Sequence, residues 1–198
     1  MSVMTAQEYV AERELTPDDI SQWHLDVCED HLGFPLLTAA GVYCCTVKRM
    51  FAGAQKYEYQ KDYPVHIHLF GIDHALSAIR QYGFAVAVEG PLDAIAMHRI
   101  GAKNTVAYLG NHLTKFQVLS LARWTDKVVV IADADAGGKG GLVKTRENVS
   151  VLGDKVLTMG TISLPSGFDP DMLVRSKGEE LVRFQALIQK LIKVNQHG

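Results

Sequence analysis

Gly83-Phe84-Ala85-Val86-Ala87-Val88-Glu89-Gly90-Pro91-Leu92-Asp93 decides the fold. The apolar run Phe84 to Val88 lies between two glycines and is too short for a helix of its own. It is apolar at successive positions rather than alternating, which marks a strand covered on both faces. Gly90-Pro91 then opens a helical pattern, since proline suits a first helical position. Working outward, helix 72–82 precedes this strand and helix 91–100 follows it. Beyond come strand 104–108, helix 114–123, strand 127–132, helix 139–151 and strand 155–159. Apolar strands alternating with helices predict a parallel sheet with helices on both faces. The crossovers should be right-handed, and ligands should bind beyond the carboxyl ends of the strands.

Upstream the period differs. Residues 5–15 read as a short helix, and Thr16-Pro17-Asp18-Asp19 has the spacing of a capping box that starts a second. Leu32 to Leu37 and Val42 to Phe51 read as two strands joined across Ala39-Ala40-Gly41. Trp23 and Trp124 fall in amphipathic patterns and are expected to pack rather than stack on bases. His24, His31, His98 and His112 read as surface or capping residues.

The chain has 198 residues, 47% of them hydrophobic and 21% charged, enough to bury a core. Lys and Arg total 20 against 22 Asp and Glu. That balance excludes nucleic-acid binding by bulk positive charge and leaves room for a local basic patch. No apolar run approaches the roughly 20 residues of a membrane span, and no signal pattern opens the chain. The expected location is cytoplasmic, the host cytoplasm if the protein is viral. Cys28, Cys44 and Cys45 are odd in number and lack a Cys-x-x-Cys spacing, so neither a disulfide framework nor a zinc site is expected. His66-x-His68 with Asp73-His74 lacks the spaced ligands of a transition-metal site.

The predicted strand ends gather acid. Glu89 and Asp93 flank the first, Asp133 and Asp135 end the third, and Asp169 and Asp171 follow the fourth. Each pair alone has an ordinary use as a helix cap or first-turn residue. Together on one edge they repel one another unless a cation intervenes, and hard oxygen donors suit Mg²⁺ or Mn²⁺. Ala136-Gly137-Gly138-Lys139-Gly140-Gly141 follows Asp135 but lacks the Walker spacing.

Glu89-Gly90-Pro91-Leu92-Asp93, Tyr108-Leu109-Gly110 and Asp133-Ala134-Asp135-Ala136-Gly137 resemble the Toprim domain of bacterial-type primases, topoisomerases and some nucleases. Leu164-Pro165-Ser166-Gly167 with Asp169 to Val174 is similar to the segment that follows Toprim in DnaG-type DNA primases. Phe34-Pro35-Leu36, Gly41 to Arg49, Lys56-Tyr57 and Leu69-Phe70-Gly71 are similar to the subdomain preceding it.

The resemblance implies an α/β fold: a Toprim-like Rossmann-type parallel sheet (72–165), preceded by a small α+β subdomain (1–71) and followed by a short helical tail (166–198). It implies RNA primer synthesis on single-stranded DNA from ribonucleoside triphosphates by a nucleotidyltransferase. Glu89, Asp133 and Asp135 become candidate catalytic and metal-holding carboxylates, with Asp93, Asp169 and Asp171 as further metal candidates. Lys48, Arg49, Lys56 and Lys61 become candidate nucleic-acid or nucleotide contacts. Mg²⁺ or Mn²⁺ is the implied cofactor, with no zinc in this chain. A replicative helicase and a separate zinc-binding primase module are implied partners, and no membrane is. The segment between Lys56 and Leu69 is shorter than the family pattern, and His66 or His68 stands where the family has a lysine. A Toprim nuclease and a non-catalytic nucleic-acid-binding subunit are the alternatives, because two-metal carboxylate sites serve synthesis and hydrolysis alike.

Overall fold

A computed structural model describes residues 4–52, 55–132, 136–151 and 157–196. Two short helices come first, α1 (Ala6–Glu12) and α2 (Pro17–Gln22). Each starts at a threonine whose hydroxyl accepts the N–H three residues on, while that residue's carboxylate accepts the threonine N–H. An antiparallel sheet follows in the order β1 (Asp26–Val27), β2 (His31–Leu37), β3 (Tyr43–Met50), β4 (Tyr57–Glu58).

From Ile72 the chain alternates: α3 (Ile72–Tyr82), β5 (Ala85–Val88), α4 (Pro91–Arg99), β6 (Thr105–Ala107), α5 (Lys115–Ala122), β7 (Lys127–Ala132), α6 (Ala136–Val151) and β8 (Thr158–Ser163). The four strands form a parallel sheet in the order β6-β5-β7-β8. Helices α7 (Pro170–Ser176) and α8 (Glu179–Gln196) complete the chain. Among the described residues no helix is long and apolar enough to cross a membrane.

Two expectations shift. The last strand lies at 158–163 rather than 155–159, and pairs residue for residue with β7 from Lys127↔Thr158 to Ala132↔Ser163. It is an edge strand, largely exposed, with only Met159 and Ile162 partly covered, so it lacks the continuous apolarity that marks β5. Helix α6 starts at Ala136 rather than 139, drawing the glycines into the helix. Gly141 explains one of them: a Cβ there would lie 1.7 Å from the carbonyl oxygen of Asn111, so α6 packs directly on the 109–111 loop.

One apolar core joins both sheets. Leu32, Phe34 and Leu36 of β2 pack in the same cluster as Phe70, Val86, Val88 and Ile95. Backbone hydrogen bonds between Phe70 and Ala107 tie the segment after the antiparallel sheet to β6. Arg99 of α4 reaches α2, placing Nε and Nη2 on Asp19 at 3.2 and 2.5 Å and Nη2 on the Glu14 carbonyl at 2.8 Å. Trp23 stacks on Phe70 and contacts the rings of His74 and His98.

Helix α4 is buried along its length, including the polar residues Asp93 and His98. His98 is therefore a core residue and not the surface or capping group its sequence context suggests. Its Nε2–H donates to the Thr105 carbonyl at 2.9 Å, which satisfies the ring in the neutral state. Burial pushes its pKa down to about 4, outweighing the opposing pull of that hydrogen bond.

A folded-state pKa below the unfolded value means that the unfolded chain takes the proton first as pH falls. Stability from neutral His98 is complete above about pH 6.5 and lost towards pH 4, by roughly 3 kcal/mol. Urea unfolding of the parent and H98Q chains at pH 7 and pH 4.5 should show a shallower acid loss in the variant. Equal losses in the two chains would contradict a buried neutral imidazole.

Candidate active site

A pocket of about 260 Å³ opens at the carboxyl end of β5. Glu89, Asp93, Asp169 and Asp171 line it from the parallel-sheet side, and Tyr9, Arg13, Lys56, Tyr57 and Tyr59 from the upstream elements.

Each described carboxylate sits where local structure requires. Glu89 ends β5, half-buried, and the backbone beyond β6 wraps it: the Leu109 N–H donates to the Glu89 carbonyl at 3.0 Å. Leu109 has φ +60° and also lines the pocket. A bulky side chain in the left-handed region is strained by about 1–2 kcal/mol, a cost that concentrates at functional sites. Asp93, in the first turn of α4, accepts the Gly90 N–H through Oδ2 at 2.9 Å and the Asp171 N–H through Oδ1 at 3.2 Å. Asp169 caps α7, with Oδ1 accepting the Met172 N–H at 2.6 Å. Asp171 is buried, and its Oδ2 accepts from Arg13 Nη1 at 2.7 Å and Arg175 Nε at 3.1 Å.

Asp133 and Asp135 lie outside the described residues. Carboxylate oxygens are the donor type that Mg²⁺ or Mn²⁺ takes. Among the described residues no three His, Cys, Asp or Glu side chains are grouped to hold one ion. His68 instead stacks on Tyr63, with Nε2 at 2.9 Å from its hydroxyl. His66 packs against the Phe116 ring.

The four basic candidates separate. Lys56 lines the pocket, exposed, with Nζ 5.6 Å from the centre of the Tyr57 ring. Arg49 packs its guanidinium against the rings of Tyr9, Phe51 and Tyr57 and donates to the Met50 and Lys56 carbonyls. It therefore braces the backbone that carries Lys56. Lys48 precedes it on β3 and so projects from the opposite face of the sheet. Lys61 is exposed, outside the pocket lining.

Sequence reasoning missed Arg13, Tyr9 and Tyr59. Residues 5–15 carry no motif beyond a helical pattern, and the partner that gives Arg13 meaning lies 158 residues away. Arg13 packs on the Tyr9 ring at 5.0 Å. Burial works most strongly against its charge, but the hydrogen bond to Asp171 together with the nearby Tyr9, Asp171 and Glu12 groups holds the guanidinium above its ordinary pKa. Burial, helped by Tyr9, pushes the Tyr57 hydroxyl up to about 12, so it remains a neutral group.

Residues 86–174 match the Toprim-like family. A DNA primase from Synechocystis is 35% identical over 126 residues, which are 62% of this chain and 20% of that protein. The chain thus spans about a fifth of the length of the curated relatives it matches. A DNA primase domain from Pseudomonas aeruginosa superposes with a TM-score of 0.81 at 22% identity, covering 92% of this chain and 70% of that one. A DnaG primase catalytic domain bound to single-stranded DNA gives 0.75 at 20% identity, covering 96% and 75%. With a parallel sheet behind a small antiparallel sheet, and a pocket between them, the chain has the fold of DnaG-type primase catalytic cores, and its residues 86–174 match the Toprim-like family.

Proposed function

We propose that this chain is the catalytic core of a DNA primase, joining ribonucleotides into short RNA primers on single-stranded DNA. One observation carries it: the acidic edge of the parallel sheet and an aromatic, lysine-bearing wall from the upstream sheet face the same pocket. A carboxylate edge alone serves hydrolysis equally well. The opposing wall adds what a polymerase needs, cationic and aromatic groups that hold a nucleotide against that edge.

Glu89, with Asp133 and Asp135, would hold Mg²⁺ or Mn²⁺, which when bound stabilises the attacking and leaving oxygens of phosphoryl transfer. Lys56 supplies positive charge for the nucleotide's phosphates. Tyr59, half exposed on the rim, offers a face for a base. Arg49 acts through the backbone it braces and is a positioning residue. Asp93 and Asp169 fix the entrances of α4 and α7, the two helices that frame the acidic edge. A replicative helicase and a zinc-binding module acting in trans remain proposed partners, and the cytoplasm the proposed location.

The direct assay supplies single-stranded DNA, ribonucleoside triphosphates and Mg²⁺ or Mn²⁺. Short RNA is the expected product, whereas shortened DNA would mark a nuclease. Glu89→Gln should reduce RNA synthesis at least a hundredfold with unchanged thermal stability, because one negative charge leaves a crowded edge. Near-parental synthesis by that variant would remove Glu89 from the site.

The cations make a second test. Lys56→Ala should raise the KM for ribonucleotides about tenfold, the loss of one charge-assisted contact, and flatten the salt dependence of template binding. Lys61→Ala should change KM less than twofold. Equal effects at both positions would mean that a diffuse basic surface, not the pocket, meets the substrate.

A further inference from the structure

Two arginine–carboxylate pairs join the upstream helices to the parallel-sheet half, and they are built differently. Arg99 grips Asp19 with two donors, Nε on Oδ1 and Nη2 on Oδ2, and Nη2 also reaches the Glu14 carbonyl. The Arg13 side chain makes one hydrogen bond, Nη1 to Asp171 Oδ2; its buried Nε has no hydrogen-bond partner, with the Glu12 carboxylate 4.0 Å away. Asp171 already has a second cation, Arg175, on the same oxygen. It is also held through its backbone N–H by Asp93. Asp171 therefore stays neutralised and in place without Arg13. Arg13 in turn lines the pocket beside Lys56 and keeps the Tyr9 ring as a platform after leaving Asp171.

We propose that Arg13 is an exchangeable cation: it rests on Asp171 in the empty pocket, and the phosphates of a bound nucleotide take it over. A triphosphate offers more negative charge than a carboxylate shared with Arg175, and it supplies oxygens for the part of the fork that Asp171 leaves unused. Asp171 thus competes with the substrate for Arg13, holding it aimed into the pocket and weakening binding until the nucleotide arrives. This assignment deepens the nucleotide-binding role proposed above and rests on it.

The competition has a sign that a ligand role for Asp171 lacks. Binding is measured by titration calorimetry with inorganic tripolyphosphate in EDTA, so that no divalent ion contributes. R13Q should weaken binding about tenfold. D171N should tighten it three- to tenfold, because it frees Arg13 while preserving shape and the backbone contact to Asp93. In the R13Q background D171N should have almost no effect, the coupling that a double-mutant cycle isolates. Weaker or unchanged binding by D171N, or tightening that persists in the R13Q background, would overturn the exchange. Should R13Q unfold, R13K, which keeps the charge but not the fork, should show a smaller response to D171N than the parent, and an equal response would overturn it. If the cycle behaves as expected while the full chain makes no RNA, Arg13 exchange stands and the primase reading fails.

Discussion

Four carboxylates share the rim of one pocket at the end of a buried parallel strand, and like charges so close must each be given a partner. The chain solves this locally. Asp93 takes two backbone N–H groups, Asp169 caps a helix, and Asp171 is sandwiched between arginines from α7 and from the start of the chain. These contacts do more than quiet repulsion. Asp171 ties the N-terminal helix to α7, and Asp93 ties α7 to α4, so the acidic edge is also the joint that closes the pocket. Changing its charge therefore acts on geometry as well as on chemistry.

The upstream half is arranged around the same joint. Arg99 with Asp19 and Arg13 with Asp171 bracket α1 and α2 against α4 and α7. The antiparallel sheet then presents Lys56, Tyr57 and Tyr59 across the gap. Arg49 spends its charge on aromatic faces and carbonyls to support that strand end. The proposed nucleotide site would have its cationic wall on one sheet and its acidic wall on the other.

Much of this was legible from local pattern. Helix α3 spans 72–82 as read, because Gly71 and Gly83 bound it in left-handed conformations. The buried strands β5 and β7 announce themselves by unbroken apolarity, and Thr16 by its capping box. The edge strand β8 did so less clearly, since none of its residues is fully buried and only Met159 and Ile162 are partly covered. His98 was misread because burial on every side of α4 depends on what packs there, which α4 itself does not encode. The acidic edge was legible as a set of positions. What already neutralises each carboxylate was not, because Arg13 and Asp171 meet only after the whole chain has folded.

The central claim is that Glu89 and the Lys56 wall hold one nucleotide between them. Crystals soaked with Mn²⁺ and a ribonucleoside triphosphate, read by the anomalous signal of manganese, test it most directly. The account predicts a manganese peak bonded to a Glu89 carboxylate oxygen, with the phosphates between it and Lys56. Manganese bound away from Glu89, or a nucleotide outside this pocket, would contradict it.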